Sequence, residues 1–318
     1  MNKRIQELDY VKGILILLVI SFHLVWFEQL HPDIKQVVYC FHMPGFLFIS
    51  GYLMNINKEA RQFLRTLLWL AVPYVVMESG YIYMASILPI NDHIDCLTPL
   101  VFLDRLLLHP LGPPWFLHAL ILCGAVYKTL SLPLLSKERS EFFFGWERVV
   151  LTGIVYYVLA HFLGILSFSS ALYFLAGAAL RRSGTDFVEF FRPSSLSIIL
   201  FALLACLSER PTQGSLNGAL IAYFAMSSLL FLYKHLPPAP RPLLLFFGRN
   251  SLPLYIFSPI FTVLCKRLVP YLQFDPTGLI FLFVSLTFCV SGSLAIAWAM
   301  DIIGISRFFF GRKAISKG

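Results

Sequence analysis

Charge is what this chain has least of. Of its 318 residues, 13% are Asp, Glu, Lys or Arg and 58% are hydrophobic. Soluble domains run near 25% charged, so a chain with about half that share has too little polar surface to face water. A soluble globular protein is excluded. Paired cysteine motifs are missing too. The six cysteines, at 40, 96, 123, 206, 265 and 289, include no CxxC and no Cys/His spacing suited to zinc. Most fall inside apolar runs, where a free thiol behaves as a small hydrophobe, so neither a structural disulfide nor a metal site is expected. The MNKR start and the apolar run after it lack the small-residue cleavage site of a signal peptide. Trp26, Phe27 and Glu28 follow instead, and the segment reads as an uncleaved first span. There is no low-complexity tract, no convincing internal repeat and no room for a separate soluble domain, so residues 1–318 read as one integral-membrane domain.

What the chain does have is long apolar runs and 31 phenylalanines. A membrane-spanning helix needs ~20 residues, somewhat fewer where the bilayer thins. Breaks at charge, proline and glycine divide the chain into ten expected spans, at 11–29, 37–54, 63–88, 114–132, 148–166, 168–181, 194–208, 216–235, 250–269 and 277–300. The expected fold class is all-α, a polytopic membrane protein of about ten transmembrane helices. The apolar stretch 243–247 leaves the start of the ninth span open. A net charge of +8 would suit a nucleic-acid binder, but the cations sit in short loops between apolar runs. Twenty of the 25 Lys and Arg residues fall on the side that ten spans give to both termini, leaving Lys35, Arg105, Arg210, Lys266 and Arg267 opposite. By the positive-inside rule both termini are cytoplasmic, in a cell (inner) membrane, with lipids rather than nucleic acid as partners. The longest outer connection, 89–113, carries Asp92, His93, Asp95, Asp104, Arg105 and His109. It reads either as a cover over a site or as a solvated connector.

Ionisable groups inside apolar runs are costly in lipid and mark candidate sites. His23 ends KGILILLVISFH, eleven residues after Lys12. On a continuous helix the two share a stripe, roughly 16 Å apart. The plainer alternative is a histidine hydrogen-bonded to a neighbouring helix. Glu78, in LAVPYVVMESGYIYM, stands thirteen residues beyond Arg65, roughly 19 Å along a helix, so His23 and Glu78 can share a depth. A carboxylate there would orient the imidazole. Glu78 paired elsewhere, or protonated by desolvation, is the other reading. His118 and His161 reach the same outer layer, as site groups or as packing groups. Pro44 and Pro73 lie inside spans and free backbone carbonyls, which suggests an internal cavity. Lys12 is either a snorkelling lysine or an anion contact, with Arg4, Arg61 and Arg65 around the same mouth to grip a phosphorylated donor.

Arg4, Leu8, Asp9, Gly13 and His23 in RIQELDYVKGILILLVISFH resemble the first-helix signature of the acyltransferase family 3 membrane proteins. FHMPGFLFISGYL at 41–53 is similar to a second family segment, and PPWFLHAL at 113–120 and GRNSLPLYIF at 248–257 to two weaker ones. Arg65 with Pro73 and Tyr74 resembles the third span of the sugar O-acetylase branch. The resemblance implies a ten-helix acyltransferase that takes an acyl group, usually acetyl, from cytoplasmic acetyl-CoA. It passes the group to a hydroxyl of a cell-envelope glycan or lipid-linked sugar, with no permanently bound cofactor. Carried over by position, His23 is the essential histidine; Glu78, from its depth alone, is the second catalytic candidate. Lys12 stands where the family has arginine, and joins Asp9, Arg4 and Arg65 as donor-binding candidates. Trp115, His118 and His161 are candidates for the acceptor site.

Two residues depart from the family pattern. Lys12 offers a point charge rather than a planar fork, though lysine remains a competent phosphate partner. Ser258 stands where many relatives carry histidine. An imidazole of ordinary pKa ~6.5 suits general-base catalysis near neutral pH. An acyl-imidazole intermediate is the other route. From other classes, an exporter of polysaccharide or lipid-linked sugar and a catalytically silent relative compete with this reading.

Overall fold

The computed structural model describes residues 5–88, 92–131, 143–312 and 314. Among them all regular structure is helical. In chain order the helices are α1 (Gln6–Ser21), α2 (Val25–Leu30), α3 (Pro32–Leu53), α4 (Ala60–Ile87), α5 (Pro99–Leu107), α6 (Trp115–Leu130), α7 (Phe143–His161) and α8 (Phe168–Arg182). They continue with α9 (Phe187–Phe191), α10 (Ser195–Leu207), α11 (Leu216–His235), α12 (Arg241–Arg249), α13 (Ser251–Cys265), α14 (Val269–Leu272), α15 (Leu279–Ile303) and α16 (Ser306–Phe309), with a single 3₁₀ turn joining α13 to α14. Each of the ten expected spans overlaps helical residues. Four stretches, Ala60–Ile87, Leu216–His235, Ser251–Leu272 and Leu279–Ile303, are long and apolar enough to cross a membrane. Trp115–Leu130 and Ser195–Leu207 are shorter apolar helices.

One expectation is corrected, and detail is added at two other places. The first span is not one helix, because the chain unwinds over Phe22–Leu24 and His23 lies in the turn between α1 and α2. The common stripe for Lys12 and His23 therefore stops short of the histidine. The stretch 243–247 belongs to a separate helix, α12, which ends at Asn250 before α13 begins. The outer connection holds a helix of its own, α5, with Pro99 in its first turn and the Thr98 hydroxyl accepting the Val101 N–H at 3.2 Å.

The chain forms two compact units. One comprises residues 1–46, 185–308 and 312–318, and the other 47–184 and 309–311. In the first unit α1 packs against α11, α12, α13 and α15. Its contact with α12 is backbone on backbone. A Cβ at Gly248 would collide with the Asp9 carbonyl oxygen, and one at Gly13 with the Leu244 carbonyl oxygen. Small residues at such crossings let helices approach where lipid supplies no hydrophobic drive. In the second unit α4, α6, α7 and α8 pack in succession, with α5 against α4. The same device joins α8 to the end of α3, where Gly51 meets the Phe174 carbonyl and Gly177 the Phe48 carbonyl.

Candidate active site

The turn at His23 follows from one backbone exchange. Phe22 N–H still bonds the Leu18 carbonyl at 3.0 Å, but His23 N–H turns to Ile20 O at 3.2 Å and Leu24 N–H to Ser21 O at 3.3 Å. In a continuing helix the Val19 carbonyl would accept from His23 N–H. Here it meets the His23 ring nitrogen Nδ1 instead, at 2.7 Å. A carbonyl can only accept, so Nδ1 carries the hydrogen and, in the neutral ring, Nε2 keeps its lone pair. The half-buried side chain thus replaces its own backbone N–H and leaves a basic nitrogen aimed away from the helix end.

A second histidine stands beside it. His42, on α3 and almost fully buried, makes the same bond, with Nδ1 at 2.7 Å from the Val38 carbonyl. It lies within electrostatic range of His23. Tyr39 links the two. Its hydroxyl donates to the Phe22 carbonyl at 3.1 Å, and its ring centroid is 4.9 Å from that of His42. Tyr39 also walls a cavity of about 340 Å³ with Lys35, Gln36, Thr212 and Gln213. Gln213 Nε2 donates to the Tyr39 carbonyl at 2.9 Å and fixes that wall. Glu28 and Lys35, paired at 3.0 Å, both act electrostatically on His23.

Near the other end of α1 a charge cluster forms. Lys12 Nζ is 2.9 Å from the buried Asp9 carboxylate, and Arg249 Nε is 3.8 Å from the second Asp9 oxygen. Gly248 makes this possible, because its close approach to the α1 backbone at Asp9 delivers the next residue to that carboxylate. Lys12 and Arg249 thus share one carboxylate. Arg249 and His42 were both visible within the family-like segments but not singled out. The signal that would have found His42 is its own position inside an apolar run, the criterion that picked out His23.

The remaining candidates lie in the second unit. Glu78 is fully buried on α4, and its Oε1 accepts the Leu111 N–H at 2.6 Å. Its Oε2 is buried with no hydrogen-bond partner among the described residues. The loop after α5 therefore supplies this carboxylate with a backbone donor. Trp115 and His118 come together on one cavity of about 430 Å³. His118 Nε2 donates to the Leu107 carbonyl at 2.9 Å, and its ring lies 5.6 Å from that of Tyr74. His161 does not line that cavity. It is exposed at the end of α7, stacked on Tyr157 with centroids 4.1 Å apart. Arg65 is exposed on α4, and Arg4 lies outside the described residues.

A family model described as an acyltransferase domain, that of acyltransferase family 3, matches residues 5–298. The chain belongs to this family. No curated protein and no solved structure matched it. The acyltransferase is thus a membrane enzyme whose family match runs from the start of α1 almost to the end of α15. Both departures from the pattern fall in its first unit. Lys12 retains a carboxylate partner, as an arginine would. Ser258 is buried within α13, so no imidazole is available at that position.

Proposed function

We propose that the enzyme moves an acetyl group from cytoplasmic acetyl-CoA to a hydroxyl of a cell-envelope glycan or lipid-linked sugar. Ten helical spans, with α1 and α2 forming one broken span, would set both termini in the cytoplasm of an inner membrane. The distribution of lysine and arginine supports this orientation. The observation that carries the chemical reading is the Val19 carbonyl on His23 Nδ1, which holds Nε2 as the basic nitrogen. The acceptor hydroxyl gives its proton to Nε2 as its oxygen attacks the thioester carbonyl carbon. The tetrahedral adduct then expels the CoA thiolate, which takes the proton back from the imidazolium. The products are an ester and free CoA. General-base help of this kind typically gives 10²–10⁴-fold, and positioning of the substrates a comparable or larger share. The Lys12–Asp9–Arg249 cluster is the proposed grip on the donor's phosphates, with Arg4 and Arg65 as further donor contacts. Trp115 and His118 are the proposed acceptor contacts, while Glu78 is proposed to hold the loop after α5 through Leu111 rather than to act on the imidazole.

The test is transfer from labelled acetyl-CoA to envelope glycans by purified enzyme. His23→Ala is expected to lower the rate by at least about 10²-fold. His23→Asn keeps an N–H donor for Val19, so it should fold as wild type and lose the same rate. Wild-type turnover in either variant would refute the reading, and trapping an acylated His23 with donor alone would replace the direct step by an acyl-imidazole one.

A further inference from the structure

The cavity walled by Trp115 and His118 has a chemistry that its two aromatic rings do not explain. Among the described residues its charged lining residue is Arg105, from the last turn of α5, and no carboxylate lines it. The adjacent Asp104 is occupied, because its Oδ1 accepts from His109 Nδ1 at 2.9 Å. His109 then presents its Nε2 edge toward Gly164 on the opposite wall, where a Cβ would stand 3.8 Å away. Arg105 keeps its own demand. Its Nε is buried with no hydrogen-bond partner among the described residues. A buried guanidinium N–H left unpaired is costly, and arginine's planar fork is matched by the two oxygens of a carboxylate or phosphate. Trp115 is half-exposed at the start of α6, and His118 is held behind it by the Leu107 carbonyl. An amphipathic ring of this kind offers a flat apolar face to a partner that is wet on its other side. At about 430 Å³ the cavity lies within the range of small-molecule sites.

We infer that this cavity binds a saccharide bearing an oxyanion, with Arg105 pairing the anionic group and Trp115 packing on the sugar ring. The inference rests on the sugar-acceptor reading above and narrows it to acidic or phosphorylated glycans. A uronic-acid carboxylate and a sugar phosphate share the chemistry, and the experiment separates them. Purified enzyme in detergent is titrated, by ligand-observed NMR, with methyl glucuronide, glucose 1-phosphate, methyl glucoside and inorganic phosphate. At least one anionic sugar should bind about tenfold more tightly than both methyl glucoside and inorganic phosphate. The tighter of the two anionic sugars identifies the anion. Arg105→Gln should erase that preference while leaving methyl glucoside binding unchanged, and Arg105→Lys should keep part of it. Trp115→Ala should weaken every sugar and leave inorganic phosphate alone.

Equal affinity for neutral and anionic sugars, or an undiminished preference in Arg105→Gln, would overturn the inference. Phosphate binding as tightly as the tighter anionic sugar would reduce the cavity to a bare anion site and overturn it equally. If transfer chemistry is misassigned, this titration is unaffected, so the two failures are distinguishable.

Discussion

The two units solve the same problem in opposite ways. Each places an ionisable side chain in an apolar segment and holds it by a backbone hydrogen bond rather than by another charge. In the first unit His23 donates to a carbonyl that its own helix has released, the Val19 oxygen at 2.7 Å. In the second, Glu78 accepts from an amide in a loop 33 residues away, the Leu111 N–H at 2.6 Å. The difference follows from the groups. An imidazole N–H can cap a carbonyl that its own helix end leaves free, whereas a carboxylate must take a donor brought by tertiary structure. Since Val19 already sets the tautomer of His23, the imidazole needs no carboxylate to orient it.

The sharpest contrast is between conservative variants of these two residues. His23→Asn should lose at least about 10²-fold in transfer. Glu78→Gln, whose amide oxygen can still accept from Leu111, should stay within about threefold of wild type with an unchanged pH–rate profile. A tenfold loss with a shifted profile would instead make Glu78 a partner of the catalytic imidazole. Next in size is the donor cluster. Lys12→Ala should raise the KM for acetyl-CoA by about tenfold and Lys12→Arg by much less, because arginine preserves the charge and the Asp9 contact. Equal KM values in both would leave Lys12 a snorkelling lysine.

Glu78→Ala removes the acceptor and strands the Leu111 N–H, at a cost of about 1–3 kcal/mol. Thermal unfolding of Glu78→Ala against Glu78→Gln checks this, and equal melting temperatures would deny the bond any stabilising role. The smallest effect is expected at Asp275, ahead of α15. Its carboxylate accepts from Ile280 N–H and Thr277 N–H, both at 2.9 Å, and from the Thr277 hydroxyl at 2.6 Å. These donors hold its carboxyl below the usual carboxylate range. A depressed folded value contributes stability above the unfolded pKa, and the contribution is lost as pH falls through the folded one. Asp275→Asn should therefore flatten the acid limb of the stability–pH curve slightly. An identical acid limb would contradict it.

Much of this fold was legible in residue order because apolar length alone dictates where helices lie, as at 216–235 and 168–181. His23 was legible as a buried base, but not as a turn residue. The break at Phe22–Leu24 falls inside an unbroken apolar run, which hydrophobic periodicity does not register. Arg249 at Asp9 was hidden for a different reason. The contact joins residues 240 positions apart and requires Gly248 against the α1 backbone, a steric fact without a pattern in sequence. His161 shared the depth expected of a site residue, yet depth along a helix does not fix which face a side chain takes, and it emerged on the surface.

The most direct test is the protonation pattern of the His23 ring itself. In ¹⁵N spectra of ring-labelled enzyme, assigned with His23→Asn, the neutral ring should carry its hydrogen on Nδ1 and leave Nε2 unprotonated. A hydrogen on Nε2, with Nδ1 bare, would contradict the account, since no basic nitrogen would then be free to take the acceptor's proton.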